Sequence, residues 1–195
     1  MYCLILDCAI PRGELSRTAE AVSILTNALV KEGCAVSPVR LSDLYPTWEM
    51  KGRPDVWSEL KYRIIRGIEE CEIFVLATPI WWGNHSSLAQ LLIEWMDDQD
   101  NEAIRKSGGK LDGRIQPGAP FYGKVFGSIV VGAEDGVQHI CGNLYNAMSW
   151  MGFTIPPLAS LTWTFQPRSH AVEMSKTMAR MLVETSNKLT HQCEK

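Results

Sequence analysis

No C-x-x-C pair and no histidine at metal-ligand spacing accompanies the six cysteines of this 195-residue chain, Cys3, Cys8, Cys34, Cys71, Cys141 and Cys193, so structural zinc and iron–sulfur centres are disfavoured. Several of these cysteines lie inside apolar stretches, where a reduced thiol behaves as a small hydrophobe, and all six read as free thiols. A basic run able to track a phosphate backbone is also missing. Nineteen Lys plus Arg face 22 Asp plus Glu, and nucleic acid is not an expected partner. Long apolar runs are absent: Tyr2 to Leu6 is too short for a signal h-region and meets Asp7 at once, and no later run approaches bilayer length. The expectation is a cytoplasmic protein without membrane insertion. Neither G-x-G-x-x-G nor G-x-x-x-x-G-K-[ST] occurs, which removes the phosphate cradles of a dinucleotide-binding Rossmann domain and of a P-loop NTPase.

What the chain does have is apolar material, 46% of its residues, enough for one domain with a sizeable core. Tyr2 to Leu6 reads as a strand covered on both faces and ending at Asp7. From Ser16 the residues Ala19, Val22, Leu25, Leu29 and Val30 recur at helical spacing, and Gly33 stands where a C-cap glycine belongs. Ala35 to Leu41 reads as a second strand, placed at a sheet edge by Pro38, which cannot donate to a ladder. Pro54 and Asp55 open a second helix, and Ile73 to Ala77 is a central strand. Ser86 or Ser87 caps a third helix expected to run through Trp95, after which Asp97 to Gly123 reads as a polar, glycine-rich insertion. Val125 to Val131 is the fourth strand and Val137 to Met151 the fourth helix. Phe153 to Ile155 is expected as a short fifth strand, and a last helix runs from about Ser169 to Leu189.

Strands and helices alternating at these lengths predict an α/β fold, a parallel sheet wound on both sides with strand order 2-1-3-4-5. Ligands of such sheets sit beyond the carboxyl ends of the strands at the switch point. Three loops therefore carry the functional reading. The first, Asp7 to Thr18, runs into a helix start whose orphan amides attract an anion. Ser16 and Thr18, with Arg12 and Arg17, either complete a phosphate seat or merely cap the helix and meet solvent. The second is Thr78-Pro79-Ile80-Trp81-Trp82-Gly83-Asn84-His85-Ser86-Ser87. Adjacent indoles beside a flexible glycine suit a flat heteroaromatic ring, with one tryptophan free to be core while the other faces the ligand. In the third, Gly132-Ala133-Glu134-Asp135-Gly136-Val137-Gln138-His139, the glycines allow close backbone approach, and His139, a weak catalytic candidate like Asn84, could pass a proton.

These residues resemble the NAD(P)H-dependent FMN reductase family, a broad group with the flavodoxin-like fold that includes flavin-dependent quinone reductases. The resemblance covers nearly the whole chain in element order and is sharpest at Ser16-Arg17-Thr18, at Thr78 to Asn84, and at Gly123-Lys124. It implies a flavodoxin-like three-layer sandwich with FMN as cofactor and NADH or NADPH as co-substrate. Ser16 and Thr18 would bind the phosphate, Pro79 to Asn84 would line the isoalloxazine ring, and Gly132 to Gly136 would close its other side. The implied reaction carries hydride through FMN to a quinone, a flavin or another small acceptor, and the implied assembly is a homodimer or homotetramer. The chain departs from the family where many relatives place Gly-Ser after the first strand: here Cys8-Ala9 stands, followed by Glu14, whose carboxylate must point away from a phosphate.

Cys8 also invites a low-molecular-weight phosphatase, but the arginine such enzymes need six positions on is Glu14. A response regulator fails because the third strand ends in Thr78-Pro79 without an acceptor aspartate. A flavodoxin-type electron carrier and a flavin-free interaction protein that keeps the fold remain as alternatives. The net charge of −3 is modest for a carrier that steers its partners electrostatically.

Overall fold

A computed structural model describes residues 1–10, 16–44, 54–133 and 135–193. The element order is β1 (Tyr2–Asp7), α1 (Arg17–Lys31), β2 (Ala35–Arg40), α2 (Leu41–Leu44), α3 (Pro54–Glu70), β3 (Ile73–Pro79), α4 (Ser87–Lys106), β4 (Val125–Val131), α5 (Val137–Trp150), β5 (Ser160–Trp163) and α6 (Arg168–Cys193). The five strands are all parallel in the order β2-β1-β3-β4-β5, the flavodoxin-like arrangement the sequence predicts. Pro38 lies on the edge strand opposite Ile5.

Each central strand is buried on both faces, yet its side chains still alternate between two cores. Cys3 and Ile5, Ile73 and Val75, and Val125 and Ile129 pack beneath α1 and α6. Leu4 and Leu6, Phe74 and Leu76, and Phe126 and Val130 pack beneath α3, α4 and α5. The second core is built on an aromatic cluster: Phe74, Phe121, Phe126 and Phe153 lie with ring centroids 5.3 to 6.0 Å apart, and Tyr145 meets Phe126 edge-on at 6.4 Å. Helix α1 ends in a Schellman motif. Cys34 N donates to Leu29 O and Gly33 N to Val30 O, with Gly33 at φ +85°, the conformation that glycine adopts without a side-chain penalty.

Two boundaries differ from expectation. The fifth strand is Ser160–Trp163, whereas Phe153 to Ile155 contributes a single bridge, Thr154 to Val125. Phe153 turns its ring into the aromatic cluster, and Pro156 and Pro157 then deny the ladder two donors, so the chain leaves the sheet and returns when Ser128 N reaches Ala159 O at 2.8 Å. The third long helix continues past Trp95 to Lys106. Its last turns carry no apolar stripe and are instead laced by Asn101–Asp97 and Arg105–Glu102 side-chain contacts one turn apart. The rest of the expected insertion includes a 3-10 turn at Leu111–Arg114 and the fully buried Phe121, so this segment is pinned into the core.

Phe126→Ala removes the ring that touches three other aromatics and is expected to cost about 3–5 kcal/mol of stability, read as a lowered urea midpoint at unchanged m-value.

Candidate functional site at the carboxyl edge of the sheet

Helix α1 starts where the sequence places it. Ser16 is extended at φ −103°, and its Oγ accepts from Ala19 N at 3.2 Å. The first intrahelical bond runs from Glu20 N to Ser16 O, so the amides of Arg17 and Thr18 have no acceptor within the helix. Thr18 is buried. Arg17 does not face these amides: its Nη2 donates to Thr164 O at 2.6 Å, and its guanidinium lies 4.6 Å above the Trp163 ring. It ties the first turn of α1 to the end of β5, helped by the Arg168–Glu20 ion pair at 2.7 Å. Arg12, Glu14 and Glu134 lie outside the described residues.

The loop after β3 is a tight hairpin. Trp81 N donates to Asn84 O at 2.7 Å and Asn84 N to Trp81 O at 2.9 Å, around Trp82 at φ +50° and Gly83 at φ +75°. Two successive left-handed residues make a type I′ turn, which favours Asn-Gly and here holds Trp-Gly. Neither indole is core. Trp82 sits at the tip and is 94% exposed, and Trp81 is 36% exposed, because the turn lifts both off the sheet. Asn84 Nδ2 donates to Trp82 O at 3.3 Å, so this amide braces the turn. Pro79 and Ile80 are half-buried beneath it.

The loop after β4 closes against this hairpin. At Gly136, with φ +82°, a Cβ would overlap the carbonyl of Gly83, and at Gly132 it would come within 2.9 Å of the Ile80 Cβ. Ile80 N donates to Val131 O at 2.8 Å and Gly132 N to Trp163 O at 3.2 Å, so the strand ends are laced from β3 to β5. Ala133 is exposed beside them. His139 is exposed on the first turn of α5, where its Nε2 contacts Asn143 Nδ2 at 3.1 Å.

Two features escaped the sequence reading. Ser86 caps α4 as expected, accepting from Ala89 N, but its hydroxyl also donates to Cys8 O at 2.7 Å, and its amide donates to Thr78 Oγ1 at 2.9 Å. One serine thereby joins the loops after β1 and β3. Asp7 is buried, accepts from Ala9 N at 2.9 Å, and pairs with Arg40 Nε at 3.5 Å. Parallel register sets Asp7 opposite Arg40, and that pairing is the signal that could have found them. Cys8 is fully buried, and burial pushes its thiol far above the ordinary range, so it is no nucleophile. The edge thus presents backbone, glycine contacts and exposed aromatic surface.

The sequence profile of the family described as NADPH-dependent FMN reductase matches residues 2–167. The chain is 29% identical over 173 residues to an 8-demethyl-8-aminoriboflavin-5'-phosphate synthase of Streptomyces davaonensis, covering 82% of this chain and 62% of that protein. It is 28% identical over 157 residues to a divalent metal cation transporter, MntH, of Mycobacterium bovis, covering 77% of this chain and 21% of the transporter. The chain thus spans less than two thirds of the length of either relative. Among solved structures it is similar to RosB with a bound 8-demethyl-8-formylriboflavin-5'-phosphate, at a TM-score of 0.75 and 21% identity, covering 98% of this chain and 81% of that one.

Two outcomes test this geometry. Gly136→Ala forces a side chain between the two loops at a left-handed φ and should lose about 1–3 kcal/mol, seen as a lower melting temperature. Burial raises the Asp7 carboxyl above its ordinary value against the pull of the Ala9 amide and Arg40, so the folded state holds this proton more tightly than the unfolded chain. The contribution of Asp7 to stability therefore falls as pH rises from the ordinary carboxyl range through the folded value. Asp7→Asn should flatten that part of the stability–pH curve relative to the parent, and an unchanged slope would assign it to other groups.

Proposed function

The chain belongs to the NADPH-dependent FMN reductase family, and from that premise we propose that it binds FMN at the carboxyl edge of the sheet and works as an NAD(P)H-dependent oxidoreductase toward a quinone, a flavin or another small acceptor. The observation that carries this reading is the meeting of the β3 and β4 loops, glycine on glycine, at the carboxyl edge of the sheet where α1 also begins, with the amides of Arg17 and Thr18 lacking an acceptor within the helix. FMN is a phosphate dianion joined to a flat tricyclic ring, and the residues present fit both halves. The amides of Arg17 and Thr18 suit the phosphate, and Ser16, whose oxygen already accepts from Ala19 N, keeps its hydroxyl proton for donation outward. Trp82, Trp81, Ile80 and Pro79 offer an apolar face, with Gly83, Gly132, Ala133 and Gly136 giving backbone close to it. The Streptomyces davaonensis relative is named for a derivative of the same molecule, riboflavin-5'-phosphate, which supports the choice of ligand.

When bound, FMN supplies the two-electron redox chemistry between a reduced nicotinamide and the acceptor. The protein's own part is to fix and shield. The Gly83–Gly136 contact holds the hairpin against the β4 loop, the Ser86 bridge holds the β1 loop to α4, and the exposed Trp82 indole leaves room for a second planar molecule to lie against it. Asn84 supports the turn, and His139 lies exposed one helical turn from the glycine contact. The same reading takes the chain as one domain, assembling as a homodimer or homotetramer in the cytoplasm. Gel filtration reads that state directly, and a monomer would remove it.

Titration of the purified protein with FMN, followed by NADH or NADPH oxidation with a quinone, tests the proposal. Flavin uptake with turnover supports the reductase, flavin uptake alone supports an electron carrier, and neither leaves a protein that keeps the fold for interaction. Ser16→Ala with Thr18→Ala should weaken FMN binding by about tenfold while the far-ultraviolet spectrum stays that of the parent. Unchanged affinity would move the phosphate away from α1.

A further inference from the structure

Among the described residues, the large apolar side chain most exposed after Trp82, at 94%, is Phe165, at 75%. Both stand at the carboxyl edge of the sheet. Pro79, Val131 and Trp163 are register partners at the ends of β3, β4 and β5. Trp82, three residues beyond Pro79, and Phe165, two beyond Trp163, therefore leave the sheet at one level, on either side of the β4 loop. Their strands are two spacings apart, about 10 Å. The loop between them begins and ends on Gly132 and Gly136, which lie too close to Ile80 and Gly83 to carry side chains.

The turn that bears Phe165 is held from several directions. Trp163 Nε1 donates to Gln166 O at 2.9 Å, Thr164 N donates to Gln166 Oε1 at 2.9 Å, and Thr164 Oγ1 donates to the same oxygen at 3.1 Å. Arg17 Nη2 donates to Thr164 O and Gly132 N to Trp163 O, which fastens the turn to the start of α1 and to the β4 loop. Thr164 is buried, whereas the phenyl ring beside it is left in water. An apolar residue standing singly on a surface is ordinary. This one differs because it is fixed in the same laced set of loops as Trp82 and faces water at the same level of the sheet.

We infer that Phe165 is a specificity residue of the proposed oxidoreductase site, forming with Trp82 the two apolar walls between which a planar acceptor of two or more fused aromatic rings lies. The inference rests on the FMN reading above and narrows its acceptor class. A fused-ring system is long enough to approach both walls, whereas a small hydrophilic acceptor gains nothing from Phe165. The fixed turn sets the ring in place before the acceptor arrives.

Calorimetric titration of the full chain, loaded with FMN and free of reduced nicotinamide, with naphthol as an unreactive fused-ring probe tests the inference beside turnover of menadione and of ferricyanide. Phe165→Ala should weaken naphthol about tenfold and raise the menadione KM by about that factor at unchanged kcat. It should leave FMN affinity and the KM values for ferricyanide and the reduced nicotinamide as in the parent. Phe165→Trp keeps a flat apolar wall and should restore both the binding and the menadione KM, which a merely structural role would not require. The inference is overturned, with the FMN reading intact, by a parent that ignores naphthol, by an unchanged menadione KM in Phe165→Ala, by an equal loss with ferricyanide, or by a shift in the nicotinamide KM alone. Sedimentation showing that Phe165→Ala breaks up an assembly would also overturn it, since the ring would then belong to a subunit contact. A parent that takes up no FMN removes the reading and the inference together.

Discussion

Backbone packed directly on backbone, Gly136 against Gly83, is the constraint from which the geometry of the carboxyl edge follows. No side chain fits between the two residues, so the loop after β4 sets where the hairpin after β3 can stand. The lacing of Ile80 N to Val131 O and Gly132 N to Trp163 O carries that constraint across three strands, and the Ser86–Cys8 bond extends it to β1. Loops usually gain freedom from their distance to the core. Here they are fastened to one another at the strand ends, so a ligand bound at this edge, as proposed, would meet a surface already ordered.

The conformation of Trp82 is a local rule broken in one place. A left-handed residue with a Cβ costs about 1–2 kcal/mol, and leaving a large apolar side chain in water forgoes about 1.5–3 kcal/mol of burial. Leu158, the other non-glycine at positive φ among the described residues, has a plain structural context, since it follows Pro156 and Pro157 where the chain steps out of the sheet. Among the described residues, nothing in the packing asks for an indole at the tip of the hairpin. Departures of that kind are expected where a protein meets a ligand, and this one lies beside the glycine contact.

The sheet was legible because buried parallel strands leave short unbroken apolar runs, and Pro38 alone sufficed to place β2 at an edge. Misplacement of the fifth strand had one cause: Phe153 has the composition of a strand residue, but its ring belongs to the aromatic cluster. The end of α4 was hidden because its last turns are held by polar side-chain pairs, which leave no apolar period to read. At the edge, the three loops could be named from glycines, tryptophans and a capping serine. Contacts between distant segments could not be: Arg17 has the look of an anion ligand at a helix start, whereas its partner, Thr164 O, is 147 residues away, and the bond of Ser86 to Cys8 spans 78.

The position of Arg17 changes how a phosphate would have to be held. With the guanidinium drawn to Trp163, the proposed seat at α1 would rest on amides and the Ser16 hydroxyl, whose attraction for an anion is directional and short in range. Such a seat tolerates little negative charge nearby, and Asp7 borders the same hollow as Ala19 on the first turn of α1. Its charge is met by Arg40 on one oxygen and by the Ala9 amide on the other, and burial favours its neutral form besides. The Asp7–Arg40 pair would thus reduce the repulsion opposing an anion at the helix start, were the proposed phosphate to sit there.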